Sequence, residues 1–402
     1  MTAPTKVSFD PFSDDFFLDP YPLYARMRDE APVYYNDQYG FYALTRHADV
    51  TAAFKDYETY SSAHGVDLAM VQSGEVPPVP MVIMLDPPDH RRMRSLVNRV
   101  FTPNAVKRLE PMVREVISGY LSQLDPANFD AVEDFSALFP CDIIARMLGV
   151  PEEYRQQVRL WLDISLHREP GQVATSPEGI QAGIETGMMY YDLIQKRRGD
   201  PQDDMISALI AVEVERDDGS LTHLDDAEIA GFASLLGGAG AETVTKLIGN
   251  AAVTFANNPN EWRKLLDDRS KVPNAIEELL RYEAPAQYVV RYCTRDVELH
   301  GTTIPQGSPV FVIAGSANRD ERAFPAPDVF DIDRPRDQSI HVGLGYGIHS
   351  CLGAALARME SRIALELLLD FMPRFEIDPE GLRRVAMSNV AGWCNVPVRV
   401  LQ

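Results

Sequence analysis

Apolar residues recur every three or four positions along most of the chain, which is the spacing of one face of an α-helix. In the longest such segment Asp225 and Asp226 provide an N-terminal cap, and Asn257, Asn258 and Pro259 end the pattern. The helices predicted in this way are Tyr21–Asp29, His90–Val100, Asn104–Leu124, Ser136–Leu148, Pro151–Leu166, Met188–Arg198, Asp204–Val214, Asp225–Asn257, Asn260–Asp267, Asn274–Tyr282 and Leu352–Phe371. The chain is therefore predicted to be mainly helical.

Alternating apolar and polar residues, the pattern of a half-buried β-strand, cover much less of the chain. They occur in Pro32–Asn36, in Gly40–Thr45 and between residues 296 and 315. Two long stretches, Ala63–Leu85 and Glu169–Gly187, follow neither pattern and are predicted to be loops that line a binding pocket. The fold class is therefore predicted as α+β, mainly α with a small β portion.

No linker or internal repeat separates these elements, which predicts one interlocked domain over residues 1–402. Its helix-rich core is expected at about 90–282 and 340–371, and its β-rich portions at about 30–60 and 285–315. With 45% hydrophobic residues, a chain of 402 residues can bury a large core.

Charge and cysteine content exclude several classes of protein. The net charge of −21 argues against nucleic acid as a partner. No apolar stretch reaches the length of a membrane span, and the first thirty residues lack a signal peptide, so we expect a cytoplasmic protein without membrane insertion. We also expect a monomer. The four cysteines are far apart, which argues against a disulfide scaffold and against zinc held by cysteine clusters.

The charge is nevertheless uneven along the chain. Residues 90–108 contain six arginine and lysine residues and no acidic residue. A basic face on an acidic protein is a candidate docking site for a partner, centred here on Arg91 and Arg92. The alternative is an ordinary solvated helix face.

Cys351 lies in a glycine-rich loop directly before the last predicted helix. The partial positive charge of a helix N-terminus stabilises a thiolate, the form of cysteine that attacks substrates or binds metals. Gly345 and Gly347 allow a tight backbone before Cys351, and Gly353 lets a flat ligand approach closely. Taken alone, however, a free cysteine is more often a buried structural residue.

The longest predicted helix carries three glycines between residues 237 and 240, each of which costs about 1 kcal/mol relative to alanine. Glu242 and Thr243 follow them. The Thr243 hydroxyl is placed to bond the carbonyl of Ala239 and to open a notch beside Gly240 for water or a diatomic gas. Glu242 would then relay protons. Helix–helix packing through small residues explains the glycines equally well.

Several cationic side chains accompany these motifs, namely His90, Arg94, Arg291 and His341. His90 and Arg94 share one helix face, and Arg291 follows an apolar run typical of a strand. Each is usually structural when taken singly, but together they could clamp a ligand with two negative charges.

The pattern Gly345-x-Gly347-x-His349-x-Cys351-x-Gly353 resembles the cysteine-ligand loop of the cytochrome P450 superfamily, the haem-thiolate monooxygenases. Further segments resemble the family's other motifs and occur in its order: Ala239-Gly240-x-Glu242-Thr243, Glu278-x-x-Arg281, "DPPDHRRMR" around His90, and "SANRDERAFPAPDVFD". The resemblance covers nearly the whole chain and favours the functional interpretation of each motif. One position departs from it, since the family usually has Phe where this chain has Leu344, which bears on the redox potential.

The resemblance implies a triangular prism built around a buried haem b, with Cys351 as the axial ligand of the iron. It implies that Thr243 and Glu242 deliver protons to bound oxygen. The residues that it implies to contact the haem are His90, Arg94, Arg291 and His341 at the propionates, with Ala239, Gly240, Gly345 and Gly353 near the ring. Glu278, Arg281 and Arg334 are implied to form a structural triad.

The implied activity is the insertion of one oxygen atom from O2 into an apolar small molecule, by hydroxylation or epoxidation. NAD(P)H would supply electrons through separate partners, a ferredoxin or flavodoxin and its reductase, and Arg91 and Arg92 would dock the ferredoxin. The residues predicted to line the substrate pocket are Met84, Leu236, Val289, Val290 and Trp393. Their apolar character predicts a lipid, terpenoid, steroid or macrolide-like substrate.

Three alternatives remain at this point. A haem-thiolate peroxygenase or isomerase would not need the acid and alcohol pair of Glu242 and Thr243. A non-catalytic haem-binding sensor would need no electron donor. A cysteine hydrolase would need a histidine poised on Cys351, and it would leave the glycine-rich helix unexplained.

Overall fold

The computed structural model describes residues 7–77, 81–98, 101–215, 219–337 and 339–401. The α-helices in these residues are α1 (Asp14–Leu18), α2 (Tyr21–Glu30), α3 (His47–Lys55), α4 (Leu68–Ser73), α5 (Asp89–Asn98), α6 (Pro103–Leu121), α7 (Phe139–Leu148), α8 (Glu152–Leu166), α9 (Pro177–Gly199), α10 (Met205–Ala211), α11 (Asp226–Asn257), α12 (Pro259–Asp267), α13 (Val272–Tyr282), α14 (Ala314–Ala317) and α15 (Ala354–Phe371). The β-strands are β1 (Val33–Asn36), β2 (Phe41–Leu44), β3 (Tyr60–Ser61), β4 (Phe129–Asp130), β5 (Glu213–Glu215), β6 (Leu221–His223), β7 (Val289–Cys293), β8 (Val297–Leu299), β9 (Thr302–Ile304), β10 (Pro309–Val312), β11 (Phe375–Ile377), β12 (Arg383–Arg384), β13 (Trp393–Asn395) and β14 (Pro397–Val400). The structure is therefore mainly helical with a small β portion, as the sequence predicts.

The longest helix, α11, runs through the middle of the molecule. A capping box starts it, because the Asp225 side chain accepts a hydrogen bond from the Glu228 backbone and the Glu228 side chain accepts one from the Asp225 backbone. Pro259 opens α12 directly after it. The second half of α11 is buried nearly all round, and the helix packs against α7, α9 and α15. α11 therefore forms the inner layer of the helical part.

The start of α9 differs from the prediction. The helix begins at Pro177 rather than at Met188, so the predicted loop Glu169–Gly187 is wrong in its second half. The Ser176 hydroxyl caps the helix by accepting a hydrogen bond from the Gly179 backbone at 3.0 Å, and proline is well tolerated at the first helical position. The glycines of this segment weaken the apolar periodicity from which a helix is predicted.

Smaller differences occur elsewhere. The predicted loop Ala63–Leu85 contains the short helix α4 and a 3-10 turn, Val82–Met84. The predicted helix Asp204–Val214 ends early, because residues 213–215 pair with β6. α3 is absent from the prediction. Arg99 and Val100, the predicted end of α5, lie outside the described residues.

The main sheet has five strands in the order β1-β2-β10-β7-β3. The predicted pairing of the first two strands is confirmed, since β1 and β2 are antiparallel with Val33 opposite Leu44. β10 runs parallel to β2 and antiparallel to β7. Phe41 and Phe311 stack on one face of this sheet with ring centroids 4.1 Å apart. The sheet thus has its own apolar core beside the helices.

The largest apolar core lies among the helices around α11. It includes Phe135, Ile144, Leu247, Leu279 and Ile363, all fully or almost fully buried. Each such side chain contributes about 1.5–3 kcal/mol through its burial. Within the described ranges, none of the helices combines the length and the apolar character needed to cross a bilayer.

Candidate active site

A cavity lies between α11 and the loop that precedes α15. Its empty space is about 900 Å³, counting the open mouth. From α11 it is lined by Leu235, Leu236, Ala239, Gly240, Thr243 and Val244. The facing wall consists of residues 349–353 with Leu356, Ala357 and Glu360, and Val82, Ile83, His90, Arg94, Phe101 and Ile144 complete it. The two motifs that the sequence singles out, around Thr243 and Cys351, therefore share one cavity.

Backbone geometry brings Cys351 to this cavity. Its N–H donates to the Leu344 carbonyl at 2.8 Å and closes the loop. Gly345 and Gly347 have φ angles of 68° and 72°, which favour glycine. A Cβ atom on Gly347 would lie 2.3 Å from the Phe54 carbonyl oxygen, so no other residue fits there without a shift of the backbone.

The Cys351 side chain opens onto the cavity on one side and onto a surface groove beside Leu344 on the other. Burial among protein atoms raises the pKa of the Cys351 thiol, while the Gly353 backbone N–H and the charge of Arg94 oppose this rise. A metal ion on the sulfur would remove the proton, because a coordinating thiol is deprotonated outright.

The glycines of α11 have two separate explanations. A Cβ atom on Gly237 would lie 2.3 Å from the Tyr190 hydroxyl oxygen, so helix packing accounts for this glycine. Gly240 lies both against Ile144, at 3.0 Å from a built Cβ, and in the cavity wall. The predicted hydrogen bond is confirmed, since the Thr243 hydroxyl donates to the Ala239 carbonyl at 3.1 Å.

Four basic groups lie close together here: three of them, His90, Arg94 and His349, line the cavity, and Arg291 acts on His349 through its charge. Arg94 donates to the carbonyl of Ser350, and the His90 ring lies 4.3 Å from the His349 ring, measured between centroids. Both His90 nitrogens lack a hydrogen-bond partner among the described residues. Arg291 is buried and donates to the Val290 carbonyl, but it forms no ion pair with any described residue. Burial lowers the pKa of Arg291 to about 10.

His349 belongs to this group, although the sequence interpretation did not assign it a role. Burial lowers the pKa of His349 to about 3, and the charges of Arg291, His90 and Arg94 add to the effect. The signal was present in the sequence, because His349 stands two residues before Cys351 inside the glycine-rich motif.

The sequence analysis placed His341 with this basic group, and the structure corrects that placement. Its Nε2 lies 3.0 Å from Glu277 Oε2, in the surface groove rather than in the cavity. Glu277 also accepts two hydrogen bonds from Arg358, at 2.6 and 3.0 Å. The physical reason is that the turn of residues 341–345 leads away from the cavity before the chain returns to it at residue 349.

Glu242 does not line the cavity, although its neighbour Thr243 does. Its carboxylate lies 2.7 Å from Lys246 Nζ, and both side chains are 5% exposed. Burial raises the pKa of Glu242 to about 7; Lys246 opposes this rise, and the nearby Asp163 of α8 adds to it. Consecutive helix positions point about a quarter turn apart, which separates the acid from the alcohol.

The predicted structural triad is assembled. Arg281 donates to both oxygens of Glu278 at 2.7 and 2.8 Å, and Arg334 donates to the same carboxylate at 3.1 and 3.2 Å. The remaining donors of both arginines bond backbone carbonyls of residues 318–329. This buried, fully bonded network anchors the irregular segment before the cysteine loop to α13.

The residues predicted to line the substrate pocket lie in different places. Leu236 lines the cavity, whereas the other four do not. Val290 packs into the core of the main sheet, and Val289 precedes it on the same strand, β7. Met84 is buried, and Trp393 stacks on the Arg384 guanidinium at 4.0 Å. These four residues do not line this cavity, and their place in a substrate pocket stays a prediction.

Comparisons with known proteins agree with this geometry. The family model described as "Cytochrome P450" matches residues 188–390. Cytochrome P450 123 of Mycobacterium tuberculosis is 40% identical over 98% of this chain and 97% of that protein. The chain belongs to the cytochrome P450 family.

Two further relatives bear on what this P450 does. It is 36% identical to the vitamin D(3) 25-hydroxylase of Pseudonocardia autotrophica, over 94% of this chain and 92% of that protein. The crystal structure of CYP109E1 from Bacillus megaterium in complex with testosterone is similar with a TM-score of 0.84 and 32% identity, covering 95% of this chain and 97% of that chain. The protein is therefore an oxidoreductase, a P450 monooxygenase, of a family whose haem iron is bound by a cysteine thiolate.

Proposed function

We propose that this cavity would hold haem b through the Cys351 sulfur, and that the enzyme inserts one oxygen atom from O2 into an apolar small molecule. The observation that carries the proposal is that Cys351 and Thr243 line facing walls of the same cavity. We also propose that residues 1–402 form one P450 domain, in which helices before and after the cysteine loop build this site.

The residues present fit a haem. Within the described part of the chain, the His90 nitrogens have no hydrogen-bond partner and the buried Arg291 forms no ion pair, so both suit an anion such as the two haem propionates. Arg94 and His349 lie beside them. A Cβ atom on Gly353 would meet no atom within 4 Å, so this part of the wall is open to a flat ring. Gly345 acts indirectly, through the turn that presents Cys351.

When bound, a haem with a thiolate ligand supplies the chemistry of O–O bond cleavage. The chain's own residues bind and orient it and hold protons nearby. Gly240 leaves space beside the middle of α11. The Thr243 hydroxyl borders this space and donates its hydrogen to the Ala239 carbonyl. Its oxygen lone pairs are free to accept a hydrogen bond from the cavity.

Glu242 is proposed as the outer member of the proton path. Burial raises the pKa of its carboxyl group, which favours the protonated form more than at an exposed glutamate and suits a proton carrier. Asp163 of α8 lies near Glu242, is 35% exposed and forms an ion pair with Arg159 at 2.9 Å. It therefore links the buried Glu242–Lys246 pair to the protein surface. Because Glu242 lies behind Thr243, it serves the cavity only through an intervening group.

The apolar wall of Leu235 and Leu236 suits a lipid-like substrate. Among the classes that the sequence suggests, we propose a steroid or secosteroid. The support is that one relative is named for hydroxylation of vitamin D(3) and another binds testosterone in its structure.

Electrons are proposed to come from NAD(P)H through a separate ferredoxin or flavodoxin and its reductase. Arg91 is exposed on α5, and Arg92 beside it lies 2.9 Å from Asp89. We propose this face as the ferredoxin dock of a monomeric enzyme, because its positive charge suits an acidic partner.

The reduced, carbon monoxide-treated protein tests the proposal. We expect the long-wavelength absorption band of thiolate-ligated haem, and we expect Cys351→Ala to abolish it. Cys141→Ala, Cys293→Ala and Cys394→Ala are matched controls that should keep the band. Steroid titrations of the parent protein should then shift the haem spectrum, and NADPH with a reductase and ferredoxin should yield a hydroxylated product. A band that survives in Cys351→Ala would falsify the ligand assignment.

A further inference from the structure

The outer surface of α8 and α9 is an apolar face that no described residue covers. Of the fourteen large apolar side chains that are exposed in the described part of the chain, six lie together on these two helices: Leu160 and Ile164 on α8, and Ile180, Ile184, Met188 and Tyr191 on α9. The four on α9 are 48–59% exposed. Exposed apolar side chains that are grouped in this way usually mark an interaction site, whereas scattered ones do not.

α9 is apolar on two opposite faces. Its inner face buries Tyr190, Leu193 and Ile194 in the core around α11. The outer stripe recurs at residues 180, 184, 188 and 191, which is the spacing of one helix face. A helix that is apolar all round belongs in a protein interior, so the outer stripe of α9 fits a partner that lies outside this chain.

Two glycines beside this stripe have no explanation within the described chain. Gly183 and Gly187 weaken a helix relative to alanine, yet a Cβ atom built on either one meets no atom within 4 Å. Gly179 differs, because a Cβ atom there would lie 2.7 Å from the Thr175 side chain. Gly183 and Gly187 therefore leave the outer side of α9 open to the close approach of another helix.

The charges at the two ends of α9 indicate what this partner is. Glu178 lies in the first turn and Lys196 in the last, and five whole helical turns separate them, so both project on the same side of the helix. Neither forms an ion pair within the part of the chain that the structure describes, whereas Arg197 and Arg198 pair with aspartates of this chain. An antiparallel second copy of α9 would bring Glu178 of each chain beside Lys196 of the other, and a parallel copy would bring like charges together.

We propose that the apolar face of α8 and α9 binds the same face of a second copy of the protein, with the two α9 helices antiparallel around Gly187. Gly187 is midway between Glu178 and Lys196 along the chain. In the same register Tyr191 of each copy lies opposite Gly183 of the other. One two-fold axis thus pairs acid with base and a large side chain with an open glycine, which is the self-complementarity that a symmetric interface requires.

The association is reversible and weak. Six half-exposed side chains on each copy make an interface at the small end of specific protein pairs. The net charge of −21 on each copy also opposes their approach. The monomer proposed above is therefore the dilute form of the enzyme, and this inference does not depend on its substrate or its activity.

Sedimentation velocity of the haem-loaded protein, at concentrations up to about 1 mM, tests the pairing. The parent should pass from monomer to dimer as its concentration rises. Met188→Glu puts two like charges beside the two-fold axis and should weaken the association at least about tenfold. Ile184→Ser is a second variant, without added charge, in case Met188→Glu does not fold. Leu221→Glu is the matched control, because it replaces an exposed apolar side chain of β6 by the same acid and should associate like the parent.

Two results of this experiment overturn the proposal. One is a parent that stays monomeric at about 1 mM, since a specific pair would be populated at that concentration. The other is an association that a folded Met188→Glu or Ile184→Ser variant leaves unchanged, because another surface then joins the two copies.

A charge exchange tests the antiparallel register. Lys196→Glu places two acids together at each end of the paired helices and should weaken the association about threefold to tenfold. Glu178→Lys/Lys196→Glu restores opposite charges and should return the affinity to within about twofold of the parent. In a parallel pair each residue would meet its own copy, so neither change would alter the affinity. A double variant that associates no better than Lys196→Glu overturns the proposed register.

Discussion

The imidazole rings of His90 and His349 lie 4.3 Å apart between centroids, with their planes at 55°. One ring comes from α5 and the other from the loop two residues before Cys351, so the contact joins distant parts of the chain at the edge of the cavity. Arg94 and Arg291 lie close enough for their charges to lower the pKa of His349 further, after burial. Among the described residues, the carboxylate whose charge acts on His90 and Arg291 is that of Asp86, so four basic side chains outnumber it and support the anion site proposed here.

Replacement of His349 should therefore weaken haem retention. A hydrogen bond to a charged group is worth about 1.5–3 kcal/mol, so His349→Ala should accelerate haem loss roughly tenfold to a hundredfold. Transfer of haem to an excess of an apoprotein acceptor measures this rate. His341→Ala is the matched control and should lose haem at the parental rate, because His341 bonds Glu277 in the surface groove. Equal acceleration in both variants would contradict the placement of the anion site.

Thr243→Ala should uncouple the enzyme. The variant loses the hydroxyl that accepts protons in the cavity, while Cys351 and the basic edge are unchanged, so haem binding and reduction should persist. General acid–base groups typically contribute about 10²–10⁴-fold, so product per NADPH should fall by a large factor while peroxide accumulates. Thr245→Ala is a control on the same helix, since its hydroxyl bonds Ser136 and Ala241 outside the cavity. Unchanged coupling in Thr243→Ala would remove the proton-delivery role.

The sequence predicted α11 closely because its signals are local. The Asp225 cap and the Asn258-Pro259 end lie within the segment itself, and the structure begins and ends the helix at the predicted residues within one position. α9 was predicted poorly for the same reason, since its glycines weaken the local pattern while contacts with α8 and α11 stabilise the helix.

Site residues that belong to a contiguous sequence motif were predicted. Site residues whose position depends on how distant segments pack in three dimensions were missed. The glycine loop identified Cys351, and Thr243 bonds Ala239 as the helical spacing predicts. Spacing alone did not separate His349 from His341, because a turn between them leads to different sides of the loop. Glu360 was not predicted as a site residue because only the packing of α15 against α11 brings it to the cavity wall.

Glu277 should give the P450 a pH-dependent stability. Burial raises the pKa of its carboxyl group, but hydrogen bonds from His341 and Arg358 outweigh burial and lower it to about 2. A carboxyl group with a lowered pKa stabilises the folded state fully at pH values above its usual pKa of about 4.5. This stabilisation is lost as the pH falls through 2. Glu277→Gln should therefore reduce the free energy of unfolding at pH 7 by on the order of 2 kcal/mol, after allowance for partial solvent screening.

The difference in the free energy of unfolding between Glu277→Gln and the parent should become smaller as the pH falls below about 4.5. Urea titrations at pH 7, 5 and 4 measure it. Glu376→Gln breaks an exposed ion pair with Arg399 and serves as the control, with an expected change of about 0–1 kcal/mol. A difference for Glu277→Gln that stays constant across this pH range would contradict the assigned charge state.

Charge reversal at Arg91 and Arg92 should slow reduction by an acidic ferredoxin. Attraction between exposed charges is screened beyond about 10 Å at 0.1 M salt, so the parental reduction rate should fall as ionic strength rises. The Arg91→Glu/Arg92→Glu variant should be slow at low salt and nearly insensitive to added salt. Stopped-flow reduction with the carbon monoxide band as readout measures both effects. Lys196→Glu/Arg198→Glu on α9 changes the net charge equally and is the control, since a docking site acts locally whereas net charge acts on every approach. If the two double variants slow reduction alike, overall charge governs the encounter and the dock lies elsewhere; if neither does, the partner approaches without electrostatic steering.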